Sequence, residues 1–112
     1  LFFVLFILLI YGCSSKNTPI AEVFLGKWTI YEKIEDNTKD TSVTGEMNIF
    51  FETDEIKFTF TTEEETPVQL SGVVFNQDLF KDSELTEYVG RLELSDDILN
   101  ISLEDGITYN AR

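Results

Sequence analysis

The sequence predicts a small all-β domain, an antiparallel up-and-down β-barrel of seven to eight strands. Three observations point there. From Trp28 onward, apolar residues recur with period two, the spacing of a strand with one buried face. Short clusters of Asn, Asp, Ser and Gly punctuate these runs, and no stretch carries a helical period of adequate length. A meander of this kind protects its edges only by pairing them or by closing, and closure gives a barrel.

The first element precedes that barrel. Residues 1–11 are all apolar or aromatic, a run too short for a helix crossing a hydrocarbon layer of about 30 Å, which takes roughly 20 residues. Its length is that of the apolar region of a secretory signal peptide. Gly12 then offers a small residue to a peptidase, and Cys13, the only cysteine, offers a thiol that can carry a thioether-linked diacylglycerol. Residues 14–20, polar and including Pro19, read as a tether. The expected organisation is a signal peptide over 1–12, a lipidated cysteine and tether over 13–23, and the barrel domain over 24–112.

The strands follow in order. In the first, Trp28, Ile30 and Ile34 fall on one side and Lys27, Thr29 and Lys33 on the other, with Tyr31 as an amphipathic exception. Val43, Met47, Ile49 and Phe51 alternate next, then Ile56, Phe58 and Phe60. The polar pair Thr53-Asp54 divides these two runs, so they read as a hairpin. Further strands are expected over 68–75, 87–94, 98–103 and 107–111, with Val68, Leu70 and Val74 alternating, then Tyr88, Leu92 and Leu94. Asn76-Gln77-Asp78, Ser95-Asp96-Asp97 and Glu104-Asp105-Gly106 mark the turns between them. Residues 79–85 fit either a short strand or one helical turn. Gly72 and Gly90, inside strands, suit places of sharp bending or close backbone approach.

Composition excludes several classes of function. A formal charge of −13, from 21 acidic and 8 basic residues, repels a phosphate backbone, which needs clustered Lys and Arg, so no nucleic-acid partner is expected. Histidine is absent and the lone cysteine has no internal partner, which removes the usual proton-transfer and zinc-binding side chains. Glu63-Glu64-Glu65, Asp96-Asp97 and Glu104-Asp105 lack the Asp-x-Asp-x-Asp-Gly spacing of a calcium loop and read as solvated turns. No catalytic residue, metal site or cofactor is expected, and the chain does not read as an enzyme.

Ile10-Tyr11-Gly12-Cys13 resembles the lipobox of bacterial lipoproteins, with cleavage before Cys13. The resemblance implies palmitate and related acyl chains on Cys13. Each buried methylene contributes about 0.8 kcal/mol, so two or three chains hold a protein on a membrane where one does not. It also implies a place in the bacterial cell envelope, with the outer membrane favoured over the inner.

"FLGKWTIYEKI", from Phe24, is similar to the opening of the small bacterial lipocalin-like lipoproteins, and "YVGRLELSDDILNISLEDGITYNAR", from Tyr88, has the rhythm of that family's last strands. The resemblance implies that Gly26, Trp28 and Arg112 close the barrel, with a late Arg packed across the Trp; Arg91 competes for that role. It also implies a small apolar ligand held inside by Trp28, Met47, Phe51, Phe58 and Phe60. The alternative is a barrel filled by its own side chains that binds an envelope protein or inhibits a protease, with residues 16–24 as a free probing arm.

Overall fold

The longer strands form where the period-two pattern places them, and four of the hairpins turn at residues that take positive φ. The computed structural model describes residues 19–112; the expected signal peptide, Cys13 and the first part of the tether lie outside the described residues. One helical turn, α1 (Pro19–Glu22), leads into β1 (Gly26–Glu35), β2 (Thr38–Asp40), β3 (Thr44–Glu52), β4 (Glu55–Glu63), β5 (Gln69–Phe75), β6 (Asp78–Phe80), β7 (Tyr88–Ser95), β8 (Ile98–Leu103) and β9 (Thr108–Ala111). Asp36 and Asn37, at φ 52° and 62°, give the β1–β2 hairpin the two positive-φ residues of a type I′ turn. Thr53, Asn76 and Asp96 take positive φ at three further hairpins.

All strands belong to one antiparallel sheet, and β9 returns to pair with β1. Eight strands, β1 and β3 to β9, make a closed up-and-down barrel, as the sequence predicts. The additional strand, β2, pairs with β1 alone and was not foreseen. Closure rests on Ile30 opposite Ala111 and on reciprocal backbone hydrogen bonds between Thr29 and Arg112, each 3.0 Å.

Alternation fills the interior. Ile30, Met47, Ile56, Phe58, Phe60, Leu92, Leu99, Ile101 and Tyr109 are each at most 1% exposed and belong to one apolar cluster. Phe60 and Tyr109 meet edge to face with ring centroids 5.1 Å apart. Ala21 and Phe24 join the same cluster, so packing of the domain reaches into the stretch expected as tether and arm.

Two bulges change the expected phase. In β1 the register with β9 shifts between Ile30 and Glu32, which sets Lys33 opposite the inward Tyr109. Lys33, expected outside, therefore points in, and Ile34, expected inside with Trp28 and Ile30, lies on the other face, half-buried. In β7 the register runs from Leu79–Gly90 to Phe80–Tyr88, leaving Val89 as the extra residue. Val89 is buried and Tyr88, expected beside Leu92, is 42% exposed against Phe80 at 5.9 Å.

Residues 79–85 divide. Leu79 and Phe80 finish β6, and a turn closed by the Leu85 N–H donating to the Asp82 carbonyl follows.

Gly72 and Gly90 occupy the close approaches expected of them. A Cβ on Gly72 would strike the Phe80 carbonyl oxygen, and one on Gly90 the Ser102 carbonyl oxygen, both backbone atoms of the adjoining chain. Because backbone cannot swing aside as a flexible side chain can, Gly72→Ala should destabilise the domain by about 1–3 kcal/mol. Ser71→Ala, at the exposed neighbour, should stay within about 0.5 kcal/mol in the same urea titration.

Candidate binding surfaces at the two ends of the barrel

Antiparallel alternation gives the barrel two distinct ends. The proximal end holds the start of β1, the turns at 53–54, 76–77 and 96–97, and Arg112; the distal end holds the turns between β4 and β5, β6 and β7, and β8 and β9.

Phe24 plugs the proximal end. It is 2% exposed, and its carbonyl accepts a 2.8 Å hydrogen bond from Trp28 Nε1, while its own N–H donates to the Ala21 carbonyl. Trp28, half-buried against the core, thus ties the plug to the first strand. Gly26, at φ 137°, begins that strand opposite Ile49.

Arg112 acts on the other face of the wall. Ala111 beside it is the inward residue, so the Arg112 side chain turns outward, and its guanidinium lies 4.3 Å from the centroid of the Tyr31 ring. The expected packing of Arg112 across Trp28 is therefore replaced by a cation–π contact with Tyr31. Arg91 donates to the Gln77 side chain at 3.1 Å and takes no part in closure.

Of the five residues expected to face a ligand, the structure brings four together. Met47, Phe58 and Phe60 are at most 1% exposed and Trp28 packs against them. Phe51 is a correction: it keeps the phase of Met47 and Ile49 but is 59% exposed. It pairs with Ile56 next to the Thr53-Asp54 turn, where the strand has run past the cover of its neighbours.

A charged network closes part of the distal end. Lys33 Nζ donates to Glu64 Oε1 at 2.6 Å, and the Tyr109 hydroxyl donates to Glu64 Oε2 at 3.0 Å. The Lys33 and Glu64 side chains are only 18% and 11% exposed. Burial pushes the Glu64 carboxyl up, but hydrogen bonds from Lys33, Thr62 and Tyr109 outweigh it and hold its pKa below the ordinary 4.5. The hydrogen bond to Glu64 raises Lys33 above 10.5 against the opposing effect of burial. Burial, reinforced by Glu64, raises Tyr109, so its phenol stays protonated. Glu64 was expected as part of a solvated turn; only the β1 bulge, which aims Lys33 inward, gives it a buried partner.

Beside this network the wall is incomplete. β6 ends at Phe80, so the distal part of the wall between β5 and β7 has no strand in it. Val68, Leu70, Val89 and Leu103 surround a cleft of about 190 Å³ there, with Lys81, Glu104 and Asp105 at its lip. A second cleft, about 330 Å³, lies where β4 and β5 meet the chain after β6, with Phe50 and Val73 on its walls and Lys57 and Lys81 at its sides. Both cations are already answered, Lys57 by Glu52 at 3.2 Å and Lys81 by Glu87 at 3.7 Å.

Among the described residues no group of three or more His, Cys, Asp or Glu is arranged to hold a metal ion, and no helix is long and apolar enough to cross a membrane. No protein-family model, no curated protein and no solved structure matches the chain.

The network sets a pH dependence. Glu64 has its folded pKa below the unfolded value, so its contribution is present above about pH 4.5 and is lost as pH falls through the folded pKa. Lys33 contributes below 10.5 and loses that contribution as pH rises through its own folded value. Glu64→Gln should cost about 1–3 kcal/mol at neutral pH and flatten the acid limb of the stability curve, read by urea unfolding from pH 3 to 8. Glu65→Gln, at an exposed neighbour, should change neutral-pH stability by less than about 0.5 kcal/mol.

Proposed function

We propose that this chain is a lipid-anchored protein of a bacterial cell envelope, held through Cys13, whose side-chain-filled barrel binds an envelope protein partner at its distal end. The anchor rests on the lipobox-like Ile10-Tyr11-Gly12-Cys13 after an apolar run. The kinship proposed is with the small lipocalin-like lipoproteins, at the outer membrane rather than the inner. No catalytic role is assigned.

The observation that carries the partner reading is the occupied interior. Met47, Phe58, Phe60 and Tyr109, the large side chains that would have to leave room for a ligand, pack against one another at 1% exposure or less. The distal cleft, at about 190 Å³, falls below the roughly 300–1,000 Å³ of pockets that enclose whole small molecules, and the second cleft, at about 330 Å³, lies on the outer wall among Lys57, Thr59 and Ser71 rather than inside the barrel. The distal cleft suits one large apolar side chain. Exposed Asp36, Asp40, Glu63, Glu65, Glu104 and Asp105 around that end favour a partner segment carrying basic residues next to the apolar one.

The same cleft supports a second reading, a short apolar ligand seated at the mouth rather than in the interior. It opens directly on the core through Val68, Leu70 and Leu103.

Three experiments decide these points. Cys13→Ser should abolish incorporation of radiolabelled palmitate and release the protein from membranes in a bacterial host; retained label would remove the anchor. A titration of residues 17–112 with a fluorescent fatty acid should stay flat, while a photo-crosslinker placed at Leu70 should capture an envelope protein in cells. Saturable one-site binding lost in Leu70→Asp, with circular dichroism unchanged, would replace the partner reading by the ligand reading.

A further inference from the structure

Exposed apolar side chains are unevenly placed on this barrel. Among the described residues, seven large hydrophobic side chains are exposed, and six of them, Val23, Leu25, Phe50, Phe51, Leu94 and Ile98, lie at the proximal end. They are 38–59% exposed, and only Tyr88 lies at the other end. Val23 and Leu25 flank the plug residue Phe24, Phe50 and Phe51 precede the β3–β4 turn, and Leu94 and Ile98 flank the β7–β8 turn. The β3–β4 and β7–β8 hairpins stand on opposite sides of the ring, so the rim carries apolar tips across its width. A barrel that needed no neighbour at this end would gain solubility from polar tips there.

The chain leaves the barrel at this same end. Pro19 opens the helical turn that puts Ala21 into the core, and Cys13 is six residues before it. Six residues span at most roughly 20 Å when fully extended. We infer that the proximal rim, built on Val23, Leu25, Phe51, Leu94 and Ile98, rests on the membrane surface that holds Cys13, with the distal end pointing away. This inference rests on the anchor proposed above.

The tether supplies the reason such a contact forms. Held within that reach, the rim meets lipid at high effective concentration, so a contact too weak to recruit a free protein is populated. Charge selects the lipid. Exposed Glu22, Glu52, Asp54, Asp96 and Asp97 sit among the apolar tips, and they repel anionic headgroups, so the surface is a zwitterionic one. This orientation also turns the distal cleft with its acidic surroundings outward, where a partner can reach it.

The test imposes the anchor chemically, so that it does not depend on lipidation in cells. The closed barrel lies wholly within the described residues, and residues 13–112, labelled at Ile, Leu and Val methyls, would be coupled through the Cys13 thiol to a maleimide lipid in zwitterionic nanodiscs. The nanodiscs carry a paramagnetic lipid. Methyl resonances of Val23, Leu25, Leu94 and Ile98 should broaden severalfold more than those of Leu85, Leu103 and Ile107 at the distal end. The double variant Phe51→Ser and Ile98→Ser, at exposed positions, should reduce the difference while the core methyl spectrum is preserved; an unchanged difference would come from the tether alone and would overturn the inference. Equal broadening of both ends, or stronger broadening of the distal methyls, would overturn the inference. Proximal methyls that stay sharp on nanodiscs would also overturn it, leaving the palmitate experiment to decide the anchor separately.

Discussion

The seam between β1 and β9 is the constraint on which the rest of this structure depends. A meander has two edges, each a row of unpaired N–H and C=O groups open to other strands. Here the edges satisfy each other through the Thr29–Arg112 pair and the register from Ile30–Ala111 to Ile34–Thr108. On the outer face the Arg112 guanidinium over Tyr31 adds a clasp at the same place. Once β1 and β9 are joined, each of the eight barrel strands has a neighbour on both sides, and the inward positions face a shared interior, open only at the distal gap beyond the short β6.

Closure of a ring this size leaves little space inside. An eight-stranded barrel is just wide enough for side chains to fill or for one small ligand. This chain fills it with Met47, Phe58, Phe60, Tyr109 and the aliphatic residues around them. The consequence is that recognition moves from the interior to the ends, where side chains keep the inward phase but lose their cover. Phe51 and Leu94 at the proximal rim, and Val68, Leu70 and Leu103 at the distal mouth, are all in this position.

The two ends then differ in chemistry for a structural reason. At the proximal end the preceding chain folds back under the strands, and Phe24 with Ala21 seals the core with apolar contacts. At the distal end no such segment is available among the described residues. There the β1 bulge turns Lys33 inward to meet Glu64 and Tyr109, and three groups share their hydrogen bonds at the edge of the apolar cluster. The first seal leaves apolar tips at the surface, and the second leaves a charged rim.

Much of this architecture is legible in the linear order of residues. Period-two alternation through Met47, Ile49, Phe58 and Phe60 and the turn residues between the runs each have one local physical cause, so the sequence by itself determined an all-β meander with a largely correct interior; the glycines at 72 and 90 mark close approaches, but which carbonyl each meets is set across the sheet. The charge of −13 and the absence of histidine likewise follow from composition alone. What only the tertiary structure decided is where that alternation breaks and where it stops being covered. The bulge at Ile30/Glu32 reverses the faces of Lys33 and Ile34, and the one at Val89 turns Tyr88 out while Leu92 keeps its inward place. Phe51 reads as interior because its phase is interior, yet exposure depends on how far neighbouring strands extend. The Arg112 contact with Tyr31 and the pairing of Lys33 with Glu64 join positions far apart in the chain, and no local pattern encodes which residues closure will bring face to face.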